Sequence, residues 1–271
     1  MTDRFAKKVA GIPTLLQRCR SVVIYRRSEL QLFQGFQPLL ESVTLGVEHS
    51  MKFSQYRPWE SVGECPNLRS LTLWTSEGNE NWPEHLFQQL TQLDIQVRLQ
   101  ELSDTSYHRT ILSITMRLRS LTLMISFGLP QPLIHKSLQS LVLVHTIQWI
   151  TKGQELFEEI DCPELRRLEI QAECCDLLSL IHLRHTQKLS ELCICCIPGD
   201  EYGTLGFSEA WSERIVEFLR SIGTVKHLKL RSWVEVVSGV VEKIEADPAL
   251  CPNLVSLHVE TTSPCFRSTR F

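Results

Sequence analysis

The stretch Cys65-Pro-Asn-Leu-Arg-Ser-Leu-Thr-Leu-Trp74 decides the fold, because the chain writes it three times. Cys162–Gln171 reads CPELRRLEIQ, and Cys251–Glu260 reads CPNLVSLHVE. Each copy places Leu-x-x-Leu-x-Leu, with Val or Ile allowed, after a Cys-Pro lead-in. In the terminal Leu-x-Leu the period of a strand points both apolar residues to one side and the residue between them to the other. The first leucine closes the preceding turn onto the same side.

Without the cysteine, the same six-residue unit recurs along the chain. Its clear copies begin at Leu68, Leu90, Leu118, Leu138, Leu165, Leu189 and Leu254, and looser ones at Cys19, Leu40 and Val225. Successive starts lie 21, 28, 22, 28, 20, 27, 24, 36 and 29 residues apart. One Leu-x-x-Leu-x-Leu says little, but ten at an interval of about 26 residues fit a leucine-rich repeat with one long insertion. A single unit cannot bury its apolar face, whereas stacked neighbours can. Parallel strands need long crossovers, and the residues between the short strands supply them.

The expected fold class is therefore α/β, a leucine-rich-repeat solenoid (horseshoe) with a parallel concave sheet and with helices and turns on the convex side. The expected domains are residues 1–15 as an N-terminal cap or remnant, 16–262 as about ten irregular repeats, and 263–271 as a flexible tail that frays after Val259 or Glu260. The best helix candidate is Ser208–Gly223, opened by a Ser cap, closed by Gly, and carrying Trp211, Ile215, Val216, Phe218 and Leu219 at helical spacing. Pro83–Leu90, Cys175–His185 and Val237–Asp247 are shorter candidates. A doubly wound α/β domain would show longer apolar strands and a Gly-rich first turn, and neither is evident.

Composition narrows the function classes. With 28 basic and 31 acidic residues the formal net charge is −3, so no overall field draws the chain to nucleic acid or to an anionic membrane. The locally basic first 27 residues read as a solvated face. No stretch approaches a membrane span, and the start of the chain lacks a signal-like apolar core. The ten cysteines are expected as thiols, and the cytoplasm or nucleus is the expected compartment.

The cysteines of the lead-in lie 97 and 89 residues apart, far from the spacing of a zinc site, and a core-and-turn role is expected of them. Cys174–Cys175, the Cys193–Cys196 run CICC, and His182 with His185 in HLRH do not form a metal or redox motif. His182 is expected to face the core and His185 the surface. No nucleophile elbow or phosphate-binding loop is present. No cofactor, metal or catalytic residue is assigned, and an unrecognised enzyme stands as the weaker alternative.

The three Cys-Pro-x-Leu copies resemble the cysteine-containing leucine-rich repeats of F-box proteins, especially the fungal F-box/leucine-rich-repeat type. The resemblance covers residues 16–262 with degenerate repeats, which lack the trailing Cys and Ile-Thr-Asp of the usual motif. It implies a substrate-receptor role in an SCF-type ubiquitin ligase, with the repeats holding a protein or peptide substrate; the alternative is a binding scaffold unrelated to ubiquitination. In that family a preceding F-box binds a Skp1-like adaptor. Only about 15 residues precede the first repeat and none resembles an F-box, so that adaptor is expected only if an F-box lies upstream.

A partner is expected on the concave face. There the outward residues Trp74, Met124, Val142 and Val144 form a central apolar patch, and Glu169, Gln171, Lys229 and Arg231 form a polar region toward the C-terminus. The Pro/Gly-rich loop Ile197–Gly206 is a second candidate contact.

Overall fold

A computed structural model describes residues 18–24, 38–46, 65–75, 84–97, 112–125, 132–145, 159–172, 178, 181–196 and 207–262. Among these residues the protein is α/β, with a large parallel sheet of ten strands and few helices. Every one of the ten strands begins two residues after the start of a repeat copy read from the sequence. The chain divides into two compact units, residues 1–123 and 124–271.

The first unit carries β1 (Ser21–Ile24), β2 (Ser42–Gly46), β3 (Ser70–Thr75), β4 (Gln92–Val97) and the start of β5 (Ser120–Ile125). Its strands pair in parallel without slippage, so that Val43, Leu71, Leu93 and Leu121 line up, as do Leu45, Leu73, Ile95 and Leu123. All eight are buried. A one-residue slip would turn every one of them to the opposite face, and that penalty holds the register.

The second unit repeats the arrangement in β7 (Ser140–His145), β9 (Arg167–Ala172), β10 (Glu191–Cys196), β11 (His227–Trp233) and β12 (Ser256–Thr262). The core-facing pairs from Leu141 and Leu143 through Leu228 and Leu230 are at most 2% exposed. Burying one such side chain contributes about 2 kcal/mol. A small second sheet, which the sequence did not announce, pairs β6 (Leu133–Ile134) with β8 (Ile160–Asp161).

Entry to each strand explains the lead-in. Cys65, Cys162 and Cys251 open β-turns in which the Leu68, Leu165 and Leu254 N–H groups donate to the cysteine carbonyls at 3.2, 3.0 and 3.1 Å. Proline follows at the position where its fixed φ suits the turn. Phe87, Thr115 and Thr186 open the same turn, so the position asks for a turn and not for a thiol. The third residue of the turn reaches the preceding repeat. Asn67 donates to the Pro38 carbonyl at 2.6 Å, Gln89 to the Cys65 carbonyl at 2.7 Å and Asn253 to the Gly223 carbonyl at 2.8 Å.

The helices answer the sequence unevenly. α1 (Glu84–Phe87) is one turn, because the Phe87–Leu90 turn into β4 ends it. α2 (Phe207–Ser221) buries all five apolar residues expected of it. α3 (Val234–Ala246) packs against it, with Gly239 close enough that an added Cβ would lie 3.1 Å from the Ser212 hydroxyl. Trp211 of α2 stacks on Trp233 at the end of β11, with ring centroids 6.4 Å apart.

The expected helix at Cys175–His185 is corrected over 181–185. There the Ile160 N–H donates to His182 and the Arg184 N–H donates to Ile160, holding the segment extended beside β8. His182 is accordingly exposed, not core-facing, and the half-exposed His185 meets Asp161 at 3.1 Å. β12 continues to Thr262, beyond the expected fraying point, because β11 pairs with it through Trp233. The cap at 1–15, the tail at 263–271 and the loop Ile197–Gly206 lie outside the described residues.

Among the described residues the buried polar side chains are Thr115, His135, His145, Ser212 and Ser232. His145, at the core-facing end of β7, is 1% exposed, and neither ring nitrogen has a hydrogen-bond partner among the described residues. Desolvation pushes its pKa from the usual 6.5 down to about 4.

Two measurements check this core. Leu168→Ala removes a fully buried side chain from the middle of the second unit and is expected to lower stability by about 2–5 kcal/mol in urea unfolding. For His145, the unfolded chain binds the proton near pH 6.5 while the folded chain resists it down to about pH 4. Its contribution is complete above pH 6.5, falls as pH drops through that window and levels off below it. The loss is on the order of 3 kcal/mol. Comparing unfolding of the parent and His145→Leu across this range is expected to show a flatter profile in the variant.

Candidate functional site

Strand alternation sends every second side chain of β9–β12 away from the core, and the register gathers them into rows. One row is Arg167, Glu191, His227 and Ser256. The next is Glu169, Cys193, Lys229 and His258, and the third is Gln171, Cys195, Arg231 and Glu260. The first two rows line an open cleft of about 310 Å³.

Two carboxylates organise the charges. Glu169 accepts from Arg167 at 3.1 Å and from Gln171 at 2.7 Å. Glu260 faces Lys229 at 2.7 Å, His258 at 3.2 Å and Arg231 at 3.7 Å. Its hydrogen bonds from Lys229 and His258 hold the Glu260 carboxyl below its ordinary pKa, and the same contact raises that of Lys229. In the first row the His227 ring and the Ser256 hydroxyl are 2.8 Å apart. Arg167, Lys229 and Arg231 stand against Glu169, Glu191 and Glu260, so the face holds three cations and three anions. Such a face offers paired polar groups rather than a field of one sign.

Cys193 and Cys195 sit between the two clusters, half-buried. Burial, with the Glu169 charge second, pushes the Cys193 thiol up to about 11. Burial raises Cys195 as well, against the opposing pull of Arg231. Both are protonated at neutral pH, which makes them poor nucleophiles and poor metal ligands. Burial also lifts the turn thiols, Cys65 to about 11 and Cys162 to about 12. Among the described residues no three His, Cys, Asp or Glu side chains are grouped to hold a metal ion. Cys174 and Cys175 lie outside the described residues.

The expected site residues are thus unevenly placed. Glu169, Gln171, Lys229 and Arg231 come together on one face. Met124 is half-buried on β5, and Val142 and Val144 are half-buried on β7, all at outward positions. The backbone of Trp74 stands in register between Gly46 and Gln96, at an outward position, while its side chain lies outside the described residues. Glu191 and His227 were not among the expected site residues, because those were read only from the outward positions at the middle of each strand onward. The same period of two would have found them.

No family model and no curated protein matches the chain. Among the described residues no helix is long and apolar enough to cross a membrane.

Thiol reactivity checks the electrostatics. In the folded protein at pH 7.5, alkylation followed by peptide mapping is expected to leave Cys65, Cys162 and Cys251 unmodified. Cys193 is expected to react on the order of a hundredfold more slowly than free cysteine.

Proposed function

We propose that the chain is a leucine-rich-repeat solenoid acting as a protein-interaction domain, with a peptide or protein segment lying across the outward face of β9–β12. The carrying observation is the electroneutral ladder around Glu169 and Glu260, open to solvent over a cleft of about 310 Å³. Rows of side chains on a rigid parallel sheet suit an extended segment crossing the strands, whose own charges would exchange with the existing pairs. A polyanion such as nucleic acid would gain little here, since each cation already faces a carboxylate. Met124, Val142 and Val144 are the proposed apolar anchors of the same partner, and Trp74 in the first unit is proposed as an anchor in its own right. Burial holds the Cys193 and Cys195 thiols protonated, which favours binding over thiolate catalysis.

By resemblance to F-box/leucine-rich-repeat proteins, the partner is proposed to be the substrate of an SCF-type ubiquitin ligase. The support is the Cys-Pro-x-Leu turn and the regular interval of its strands. A Skp1-like adaptor enters this proposal only through an F-box upstream of the repeats.

Affinity capture with the parent chain and with Lys229→Glu/Arg231→Glu tests the binding face. Proteins held by the parent are expected to be lost at least about tenfold from the variant, with circular dichroism unchanged. Retention by this variant and by Trp74→Asp/Met124→Asp would overturn the assignment of the face. Binding of purified Skp1 to the chain carrying its upstream sequence tests the ligase reading separately.

A further inference from the structure

Among the described residues β12 is the outermost strand of the second unit. Leu228 and Leu230 of β11 are 1% and 2% exposed, but the residues in register with them on β12 are not covered. Leu257 is half-exposed, Val259 is 40% exposed and the preceding Val255 is 74% exposed. β12 pairs with β11 on one side, and among the described residues no strand pairs with its other side. The Ser256 N–H donates to the Lys226 carbonyl, so by the alternation of a parallel ladder Leu257, Val259 and Thr261 aim their N–H and C=O groups at the open edge. An exposed edge is usually blunted by lysine or proline, and Ser256–Thr262 contains neither.

We propose that this edge is a homodimer interface, in which β12 pairs antiparallel with β12 of a second copy about a two-fold axis through Val259. This goes beyond the binding-face reading and does not depend on it. Charge selects the register. With the axis at Val259, His258 stands opposite the partner's Glu260, and Glu260 stands opposite the partner's His258. Val259 meets its own copy, and Leu257 meets the partner's Thr261. An axis at His258 would set histidine against histidine, and an axis at Glu260 would set carboxylate against carboxylate, which is unfavourable for directly opposed residues. The hydrogen bonds agree with the same choice. In an antiparallel pair alternate opposed residues exchange both N–H···O bonds, and the three pairs centred on Val259 use only residues whose backbone groups face the edge. The interface is self-complementary, as a two-fold contact requires.

Sedimentation of the full chain from about 1 to about 100 µM tests this. The expected result is a species of twice the 31.2 kDa chain mass. Val259→Pro, which removes the central N–H, is expected to give monomer. His258→Glu sets like charges opposite each other and is expected to weaken the dimer at least about tenfold. Adding Glu260→His restores opposite partners and is expected to restore the dimer, a rescue that general destabilisation would not produce. Monomer throughout the range would overturn the proposal and leave the edge to another occupant, such as residues 263–271 or a different protein. So would open-ended polymer, or a dimer indifferent to both Val259→Pro and His258→Glu.

Discussion

One carbonyl per repeat sets the position of the next strand. In the first unit the carbonyls of Arg20, Glu41, Arg69 and Thr91 each accept two consecutive N–H groups from the following repeat, at 2.8–3.0 Å. In the second unit Gln139, Arg166, Ser190 and Lys226 do the same. This forked contact falls where the turn meets the strand, before the first paired residue. It aligns each strand with its predecessor, and the alignment in turn directs the leucines to the core and their neighbours to the outer face.

The cysteine of the lead-in acquires its meaning from that junction. It opens a turn and fills a small buried volume beside the first leucine. Phenylalanine and threonine open the same turn at other repeats, so the turn is what the position requires, and burial makes the thiols inert. Chemistry of the other kind, charge held in the open, gathers on the outer face of β9–β12, where the spacing of parallel strands brings side chains from distant repeats within hydrogen-bonding reach.

Much of the fold was legible. Leu68, Leu118 and Leu165 announced their strands through an apolar period of two repeated at a regular interval, and stacking converts that pattern directly into a core. The Ser208–Gly223 helix was legible because five apolar residues share one face. The extended course of His182–His185 was not. Its four apolar neighbours fit a helix equally well, and the choice was made by the edge of β8, which offered backbone partners. Part of the binding face was legible: the outward positions of Glu169, Lys229 and Arg231 follow from alternation. The ion pairs that tie Lys229 and Arg231 to Glu260 do not, because they link consecutive strands across about thirty residues of chain.

The amino-acid sequence by itself determined where ten strands begin and which of their residues face the core, since both depend on local periodicity and on the inability of one repeat to bury its own apolar side. Tertiary structure decided what lies next to what. It matched Glu260 with Lys229, placed His145 where no described group meets its nitrogens, and left Leu257 and Val259 without the cover enjoyed by their counterparts one strand earlier. Those outcomes depend on register and on which strand lies beside which, and a periodic sequence specifies the strands without specifying what meets their outward and edge groups.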